Sequence, residues 1–500
     1  MTNVSLIPQP VSVKKTNNFV EYFPEFSIIG DVLFSGEIQT AQLQFKNDRT
    51  GVETSSKTKI QCTKDTSIAG EESYEVSIRT DYIEIRASGQ AGMYHGLQSI
   101  RQLVLAGKET NDNTLPCCEI ADSPRFPWRG FMLDTSRHFY TMAFIKKMID
   151  IASVHHMNVF HWHLTDDQGW RLPVEGFPLL TEIGSMRDDK RATWGNVTGG
   201  FYSRNDIHEI VAFAAERHVE VVPEVDLPGH ASAILAAYPD LGCTGGPYRV
   251  EDRFGIFEDV LCAGNDRIFE LFASIFDSLV DLFPSSYVHI GGDEVKFNRW
   301  EKCPKCTQRM KSLGLEKVPH LQSWITVRLV EMLKERGKTA IGWDEVLEGP
   351  DSFPLPLEVI VMSWRGLEGG IEASAKGHRV IMTPMTDGCY LNFKPLDNDE
   401  EPGHLEVCTV RQSFQMEPVA DEMTAEQEKL VLGGQCNLWS EVIYASRIAE
   451  YMLFPRLCAI SEALWSQKAS RNLASFAERL PLHRKKLDAL DVCQFRGPLE

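Results

Sequence analysis

The sequence contains no apolar segment approaching the roughly 18 residues that a membrane-spanning helix needs. It also has no surplus of positive charge, because 51 lysines and arginines stand against 70 aspartates and glutamates, a formal net charge of −19 at pH 7. A chain this acidic is repelled by nucleic-acid backbones and by anionic membranes. We therefore expect no nucleic-acid partner and no membrane partner, whereas a neutral ligand such as a sugar stays open.

Cysteine is too sparse for a disulfide scaffold, with 12 residues in a chain of 500. Cys243 and Cys262 bracket a loop rich in glycine and proline and would close it in an oxidising compartment. Cys303-Pro-Lys-Cys306 has the spacing of a zinc knuckle, but the sequence shows no second such pair and no histidine partner. We expect neither a metal nor a cofactor.

The first ten residues lack the basic segment and apolar core of a secretory leader. The chain as written is therefore expected in the cytoplasm, or in the periplasm or outside the cell if a leader was removed before the numbering began. The oligomeric state stays open, a homodimer being one option.

Composition and pattern predict two domains. Residues 1–122 contain alternating segments at 74–79 and 82–86 and a helical pattern at 92–104, which indicate a small α/β accessory domain. Two prolines in the segment 121–127 mark its end. The remainder, 123–500, is predicted to be the catalytic domain.

From residue 128 on, short apolar runs alternate with longer helical patterns, which predicts parallel strands joined by helices. Eight strands are predicted at 131–136, 159–165, 219–226, 287–294, 339–346, 359–365, 379–385 and 431–440. Helical patterns between them cover 142–156, 205–217, 267–282, 319–336 and 446–465. The predicted fold class is therefore α/β, a (β/α)8 TIM barrel preceded by a smaller α/β domain. An acidic, irregular insert at 387–428 is a lid or a surface excursion.

Polar side chains follow nearly every predicted barrel strand. The fourth strand ends Gly291-Gly292-Asp293-Glu294, and both acids can face one cavity only if the strand ends or bulges at the glycines. By itself such a pair could equally cap a following helix. Since acids, imidazoles and indoles follow the other strands too, and burying them is costly unless they share a cleft, we predict an active site there.

Three tryptophans, Trp343, Trp364 and Trp439, lie at the ends of different predicted strands. Each alone is compatible with core packing. Together they indicate an aromatic box beside carboxylates, which suits a carbohydrate because a sugar ring presents apolar C–H faces and a belt of hydroxyls.

Four segments resemble glycoside hydrolase family 20, the β-N-acetylhexosaminidases. They are 129–138 (RGFMLDTSRH), 161–167 (HWHLTDD), 289–294 (HIGGDE) and 439–441 (WSE). The resemblance spans the chain in order. It implies an exo-acting, retaining enzyme for terminal β-linked GlcNAc or GalNAc of glycans or chitooligosaccharides, in which the substrate's acetamido group is the nucleophile and forms an oxazolinium intermediate.

The resemblance also implies residue roles. Glu294 would be the general acid and base, and Asp293 would orient the acetamido group. Tyr390 would bind the acetamido carbonyl, and the three tryptophans would wall its pocket. Hydroxyl groups of the sugar would be held by Arg129, Asp166, Asn392 and Glu441. Three residues would lie around Glu294 and tune it: His163, Asp226 and His230.

Two further points follow from the resemblance. Some family members have Asp where this chain has Asn392, so the preference between GlcNAc and GalNAc is left open. In related bacterial enzymes the cysteines at the positions of Cys243 and Cys262 form a bridge, which would favour an oxidising compartment.

Three other functions are compatible with parts of the pattern. The first is another specificity within the same family, either release of a disaccharide, as by a lacto-N-biosidase, or release of a 6-sulfated GlcNAc. His161-x-His163 at a strand end also resembles a metal-ligand pair, as in a metal-dependent barrel hydrolase. A glycan-binding protein without activity is disfavoured, because a lectin has no use for the paired acids.

Overall fold

The computed structural model describes residues 4–21, 27–48, 59–110, 114–188, 197–350, 353–397, 401 and 403–500. A six-stranded sheet precedes a closed, parallel eight-stranded barrel. The predicted fold class is confirmed. Among the described residues, no helix combines the length and the apolar character required to cross a bilayer.

The first sheet has the spatial order β1-β6-β4-β5-β3-β2. Its strands are β1 (Ser12–Glu21), β2 (Ser27–Gly30), β3 (Lys59–Lys64), β4 (Tyr74–Ile78), β5 (Ile83–Ala87) and β6 (Thr114–Asp122). In β4 and β5 the residues alternate between buried and half-buried, as their alternating sequence predicts. Two helices, α1 (Ser35–Asp48) and α2 (Gln90–Thr110), accompany this sheet.

Helix α2 lies between the sheet and the barrel, which explains why it is buried on nearly every side. Met93, Leu97 and Ile100 pack in the core of the sheet. On the other side Arg101 forms ion pairs with Asp48 (2.7 Å) and with Asp150 of the barrel (2.9 Å). Because each buried charge has a partner, the two layers join without leaving an uncompensated ion.

The barrel strands are β7 (Trp128–Asp134), β8 (Val159–His163), β9 (Glu220–Glu224), β10 (Tyr287–His289), β11 (Thr339–Trp343), β12 (Ile360–Ser363), β13 (Val380–Met382) and β14 (Val431–Leu438). All eight coincide with predicted strands. Every one ends before its predicted end, β10 by five residues, because the polar residues at these ends belong to the connections.

The helices around and after the barrel are α3 (Met142–Val154), α4 (Arg204–Ala215), α5 (Arg267–Leu282), α6 (His320–Glu335), α7 (Glu368–Ala375), α8 (Ser446–Leu453), α9 (Arg456–Trp465) and α10 (Leu473–Ala489). The predicted single helix over 446–465 is wrong. Pro455 lies between α8 and α9, and proline cannot donate the backbone hydrogen bond that would continue a helix.

The connections contain shorter elements. Short helices cover Leu179–Glu182, Ser232–Ala237, Asn298–Lys302, Pro304–Ser312, Val410–Gln415 and Ala425–Glu428. Two-stranded pairs form between Thr165–Asp166 and Gly169–Trp170, Met186–Asp188 and Val197–Gly199, and Phe393–Lys394 and His404–Val407. A 3-10 turn at Asp344–Leu347 follows β11, and others lie at Val32–Phe34, Pro239–Leu241, Met385–Asp387 and Lys468–Ser470.

Candidate active site

A pocket of about 190 Å³ opens at the carboxyl end of the barrel. Residues from six barrel strands or their connections, together with the insert at 387–428, form its wall. The wall consists of Arg137, Asp293, Glu294, Trp343, Trp364, Met385, Tyr390, Asn392, Phe393, His404, Glu406, Trp439 and Glu441. The carboxyl end of a barrel is where catalytic side chains from different strands converge.

Asp293 and Glu294 both reach the pocket because the chain breaks after β10. Gly291, Gly292 and Glu294 have positive φ angles of 67°, 99° and 52°. A Cβ atom on Gly291 would lie 1.7 Å from a carboxylate oxygen of Asp226, so only glycine fits there. The same oxygen, Oδ1, accepts a hydrogen bond from the Gly292 N–H at 3.0 Å. The turn therefore fixes both acids relative to β9.

Burial and like charges perturb the acids at the pocket floor. Burial raises the pKa of Asp293 well above its usual range, and the neighbouring Asp226 raises it further. Burial also raises the pKa of Asp226 to about 7 and that of Glu345 to about 9. Asp293 and Glu345 therefore favour the protonated form at neutral pH.

His230 lies against both pocket acids, with Nε2 3.7 Å from Asp293 Oδ2 and 3.5 Å from Glu294 Oε2. Its Nδ1 faces Asp166 at 3.2 Å and Asp167 at 3.0 Å. Burial opposes protonation, but Asp166, Asp167 and Glu294 together outweigh it and raise the pKa of His230 well above its usual value. A protonated His230 thus supplies a positive charge between two pairs of acids.

Aromatic rings form one side of the pocket. Trp343 and Trp439 have ring centroids 5.8 Å apart, and Trp364 stacks with Tyr390 at 6.2 Å. The Trp343 indole N–H donates to Glu224 Oε1 at 2.9 Å, and that of Trp364 donates to Glu345 Oε2 at 2.9 Å. These two hydrogen bonds therefore fix the orientation of both indole rings in the pocket wall.

Two buried polar atoms on the pocket wall, Asp293 Oδ1 and Asn392 Oδ1, have no hydrogen-bond partner among the described residues. His404 Nε2 and Glu441 Oε2, also on the wall, form an ion pair with each other at 3.5 Å. Because buried polar groups are costly unless they are hydrogen-bonded, the presence of Asp293 Oδ1 and Asn392 Oδ1 in one pocket indicates a ligand with hydroxyl or amide groups.

The prediction that Arg129 holds a sugar hydroxyl is wrong. Arg129 is the second residue of β7, at the barrel end opposite the pocket, and its side chain is fully buried. It forms an ion pair with Glu72 of the first sheet's connections and donates to the carbonyl of His156. Its role is to join the barrel to the preceding sheet.

The pocket arginine is Arg137, in the connection after β7. It pairs with Asp166 at 2.8 Å and Asp134 at 3.1 Å, lies 3.8 Å from Glu441, and stacks over Trp439 at 5.1 Å. Arg129 and Arg137 lie in the same motif, but only Arg137 follows the strand. Because pocket residues follow the barrel strands, the sequence could have identified Arg137 by this position.

Three other predicted residues lie behind the wall rather than on it. Asp166 has both oxygens engaged by His163, Arg137 and His230, so the prediction that it holds a sugar hydroxyl is corrected. His163 contacts Glu224 and Asp166 instead of Glu294. Asp226 adjoins Gly292 and acts on Asp293.

Sequence reasoning missed a buried acid, Glu224, beneath the pocket. His161, His163 and His289 all face it, at 2.5–3.1 Å. Burial alone would raise the pKa of Glu224, but these imidazoles, His163 foremost, hold it well below its usual range. Since His161 and His163 are both turned toward Glu224, neither lies on the pocket wall as a metal-dependent hydrolase would need.

Glu345, His404 and Glu406 were also missed. Glu345 follows a strand end and was visible as a polar residue, whereas His404 and Glu406 belong to the irregular insert. Described residues of this insert reach the pocket, where the strands Phe393–Lys394 and His404–Val407 pair with each other.

All twelve cysteines are free thiols, so the bridge between Cys243 and Cys262 is not formed. The prediction that the Cys303–Cys306 pair lacks partners is wrong. The structure gathers Cys243, Cys262, Cys303 and Cys306 into one group whose sulfur atoms lie within 4.8 Å of one another.

Comparison with known proteins gives consistent matches over both parts of the chain. The family model described as glycosyl hydrolase family 20, catalytic domain, matches residues 126–468, and that of domain 2 of the same family matches residues 3–123. The solved structure of a family 20 exo-β-N-acetylglucosaminidase from Vibrio harveyi, in complex with N-acetylglucosamine, superimposes with a TM-score of 0.89 at 28% identity. The superposition includes 100% of this chain and 79% of the Vibrio harveyi chain.

Two curated relatives are named beta-hexosaminidases. That of Porphyromonas gingivalis is 39% identical over 424 residues, 84% of this chain and 54% of the relative. That of Akkermansia muciniphila is 32% identical over 419 residues, 83% of each. The chain thus spans about half the length of the first relative and most of the second.

The turn after β10 yields a stability prediction with a matched control. Gly314 has nearly the same φ as Gly291 (66° against 67°), but a Cβ atom there meets nothing within 4 Å. Gly314→Ala should therefore cost only the left-handed backbone penalty, about 1–2 kcal/mol in the free energy of unfolding. Gly291→Ala should cost about 1–3 kcal/mol more because of the clash with Asp226. Equal losses in chemical unfolding would contradict the described turn.

Proposed function

We propose a function for this chain, which belongs to glycosyl hydrolase family 20. It is an exo-acting β-N-acetylhexosaminidase that uses the acetamido group of its substrate as the nucleophile. The observation that carries the proposal is the placement of Asp293 and Glu294 side by side in a pocket walled by Trp343, Trp364 and Trp439. The named relatives are beta-hexosaminidases, and a structural neighbour holds N-acetylglucosamine.

Glu294 is assigned the proton transfers. Its side chain is 30% exposed, the more open of the two acids, and it lies 3.5 Å from Nε2 of His230. It first donates a proton to the glycosidic oxygen as the leaving group departs. It then takes a proton from the water that opens the oxazolinium intermediate, so that the enzyme is regenerated.

Asp293 is assigned the acetamido N–H. Its Oδ1 is buried and without a partner among the described residues, so it is available to accept that hydrogen bond. A carboxylate there turns the amide carbonyl oxygen toward the anomeric carbon and stabilises the positive charge that develops on the amide. Burial and Asp226 favour the protonated form in the free site, whereas the developing charge favours the ionised form.

The remaining wall residues are assigned to the sugar. Tyr390 has ring contacts with Trp364 and Trp439, and we assign it to the acetamido carbonyl. The tryptophans exclude water that would compete for the intermediate. Arg137, Asn392 and Glu441 supply donors and acceptors for the hydroxyl groups of the terminal residue.

The size and charge of the pocket favour a single neutral N-acetylhexosamine at the non-reducing end. A volume of about 190 Å³ is below the roughly 300–1,000 Å³ of pockets for larger ligands, which disfavours a disaccharide-releasing relative. Four acids line the wall, namely Asp293, Glu294, Glu406 and Glu441, and Arg137 is already paired with acids. A sulfated sugar would be repelled there.

The nucleophilic role of the acetamido group is tested with aryl glycosides whose N-acetyl group carries zero to three fluorine atoms. Because fluorine withdraws electrons from the carbonyl oxygen, we expect kcat/KM to fall steadily with each fluorine. The matched control is inhibition by the corresponding free fluorinated N-acetylhexosamines, which separates a loss of binding from a loss of nucleophilicity. A rate independent of fluorination would contradict substrate-assisted catalysis.

The corrected arginine assignment gives a paired prediction. Arg137→Met should lower kcat/KM by about 10- to 150-fold, the equivalent of a lost charged hydrogen bond of roughly 1.5–3 kcal/mol. Arg129→Met should reduce thermal stability while the folded enzyme keeps its kcat/KM, because Arg129 lies at the opposite barrel end. The assignment fails if the two variants exchange these effects.

The pKa of Asp293 predicts a pH effect with a definite sign. Catalysis needs ionised Asp293, so kcat/KM should fall as the pH drops through the pKa of that group in the free enzyme. Since the charge of Asp226 raises the pKa of Asp293, Asp226→Asn should move this acidic limb to lower pH. The amide oxygen can still accept from the Gly292 N–H. A limb that stays in place or moves to higher pH would contradict the coupling.

A further inference from the structure

Two barrel connections contribute two cysteines each to one group. Cys243 and Cys262 lie in the connection from β9 to α5, and Cys303 and Cys306 lie in the connection from β10 to α6. We call these residues the four-cysteine cluster. None of them lies on the wall of the pocket.

The sulfur atoms are spaced as ligands of one ion. Cys262 Sγ is 3.6 Å from Cys306 Sγ and 3.8 Å from Cys303 Sγ, and Cys243 Sγ is 3.8 Å from Cys306 Sγ. A disulfide would bring two sulfurs to about 2.0 Å. Four thiolates around zinc, each about 2.3 Å from the metal at the corners of a tetrahedron, lie about 3.8 Å apart. The three distances match the edge of this tetrahedron, and all four sulfur atoms lie within 4.8 Å of one another.

We propose that the four-cysteine cluster binds one zinc ion through all four sulfurs. Binding releases the four thiol protons to solvent and forms four zinc–sulfur bonds, leaving a site with a net charge of −2. In the sequence Lys302 precedes Cys303 and Lys305 lies between Cys303 and Cys306, so two positively charged residues adjoin the pair. A closed set of four thiolates leaves no open coordination position, so the ion has a structural role.

The backbone around the cluster is shaped to hold the two connections together. Cys262, Cys303 and Cys306 are buried. A Cβ atom on Gly264 would lie 2.2 Å from the carbonyl carbon of Lys305 and 2.5 Å from the nitrogen of Cys306, so only glycine permits this approach. The indole N–H of Trp300 donates to the carbonyl of Leu261 at 2.8 Å. These close backbone contacts therefore hold the two connections together beside the sulfur atoms.

The zinc ion would stabilise the chain segments that carry the pocket acids. Leu261, next to Cys262, donates its N–H to the carbonyl of Pro228, and Leu227 donates to that of Ile290. The acceptors are Pro228, two residues before His230, and Ile290, three residues before Asp293. The ion would therefore hold the connection that carries Asp293 and Glu294 against the one that carries Asp226 and His230.

The test is metal analysis of the full chain purified under reducing conditions without added chelator. We expect one zinc per chain, released as an organomercurial titrates the thiols. After removal of zinc and reduction of the thiols, cobalt(II) should bind and give the visible and near-ultraviolet bands of a tetrahedral thiolate complex. Cys306→Ser should lose the bound zinc and melt at a lower temperature, whereas Cys62→Ser, which alters a buried cysteine outside the cluster, should keep it.

Three results would overturn the proposal. One is a chain that neither contains zinc nor gives the cobalt thiolate spectrum after reduction. The second is peptide mapping that finds a disulfide between members of the four-cysteine cluster in the active protein. The third is full zinc content in Cys306→Ser. The first two measurements need no variant, so they hold even if a cysteine variant fails to fold, and neither depends on the substrate assigned to the pocket.

Discussion

The close contact between the Gly291-Gly292 turn and Asp226 is the constraint on which the active site depends. In a regular strand neighbouring side chains point to opposite faces, so Asp293 and Glu294 could not share a pocket. The turn leaves β10 after three residues and presents both acids at the barrel mouth. Asp226 both fixes that turn and raises the pKa of Asp293, so the same contact sets geometry and charge.

Two buried acids beneath the pocket, Glu224 and Asp166, are each surrounded by basic side chains. Glu224 is held among three imidazoles, and Asp166 is shared by His163, His230 and Arg137. Each of these buried acids has positively charged or hydrogen-bonding partners, whereas Asp293 Oδ1 at the pocket has none among the described residues. Asp293 Oδ1 is therefore available to accept a hydrogen bond from a substrate amide.

The sequence predicted the barrel well, because its strands are short apolar runs and hydrophobic periodicity reports burial directly. It also predicted the acid pair and the three tryptophans of the pocket wall. It failed where the answer depended on which end of a strand faces the pocket, as with Arg129 and Arg137. It also failed for contacts between distant segments: Glu224 with its imidazoles, His404 from an irregular insert, and the four-cysteine cluster, whose halves are 41 residues or more apart and share no local pattern.

The central claim is a division of labour between Asp293 and Glu294, and its most direct test is a leaving-group comparison. For Glu294→Gln, kcat/KM should fall by about 10²–10⁴ on glycosides with poor leaving groups and far less on aryl glycosides with good ones. For Asp293→Asn the loss should be similar for every substrate that carries an acetamido group. Equal dependence on the leaving group in both variants would contradict the account.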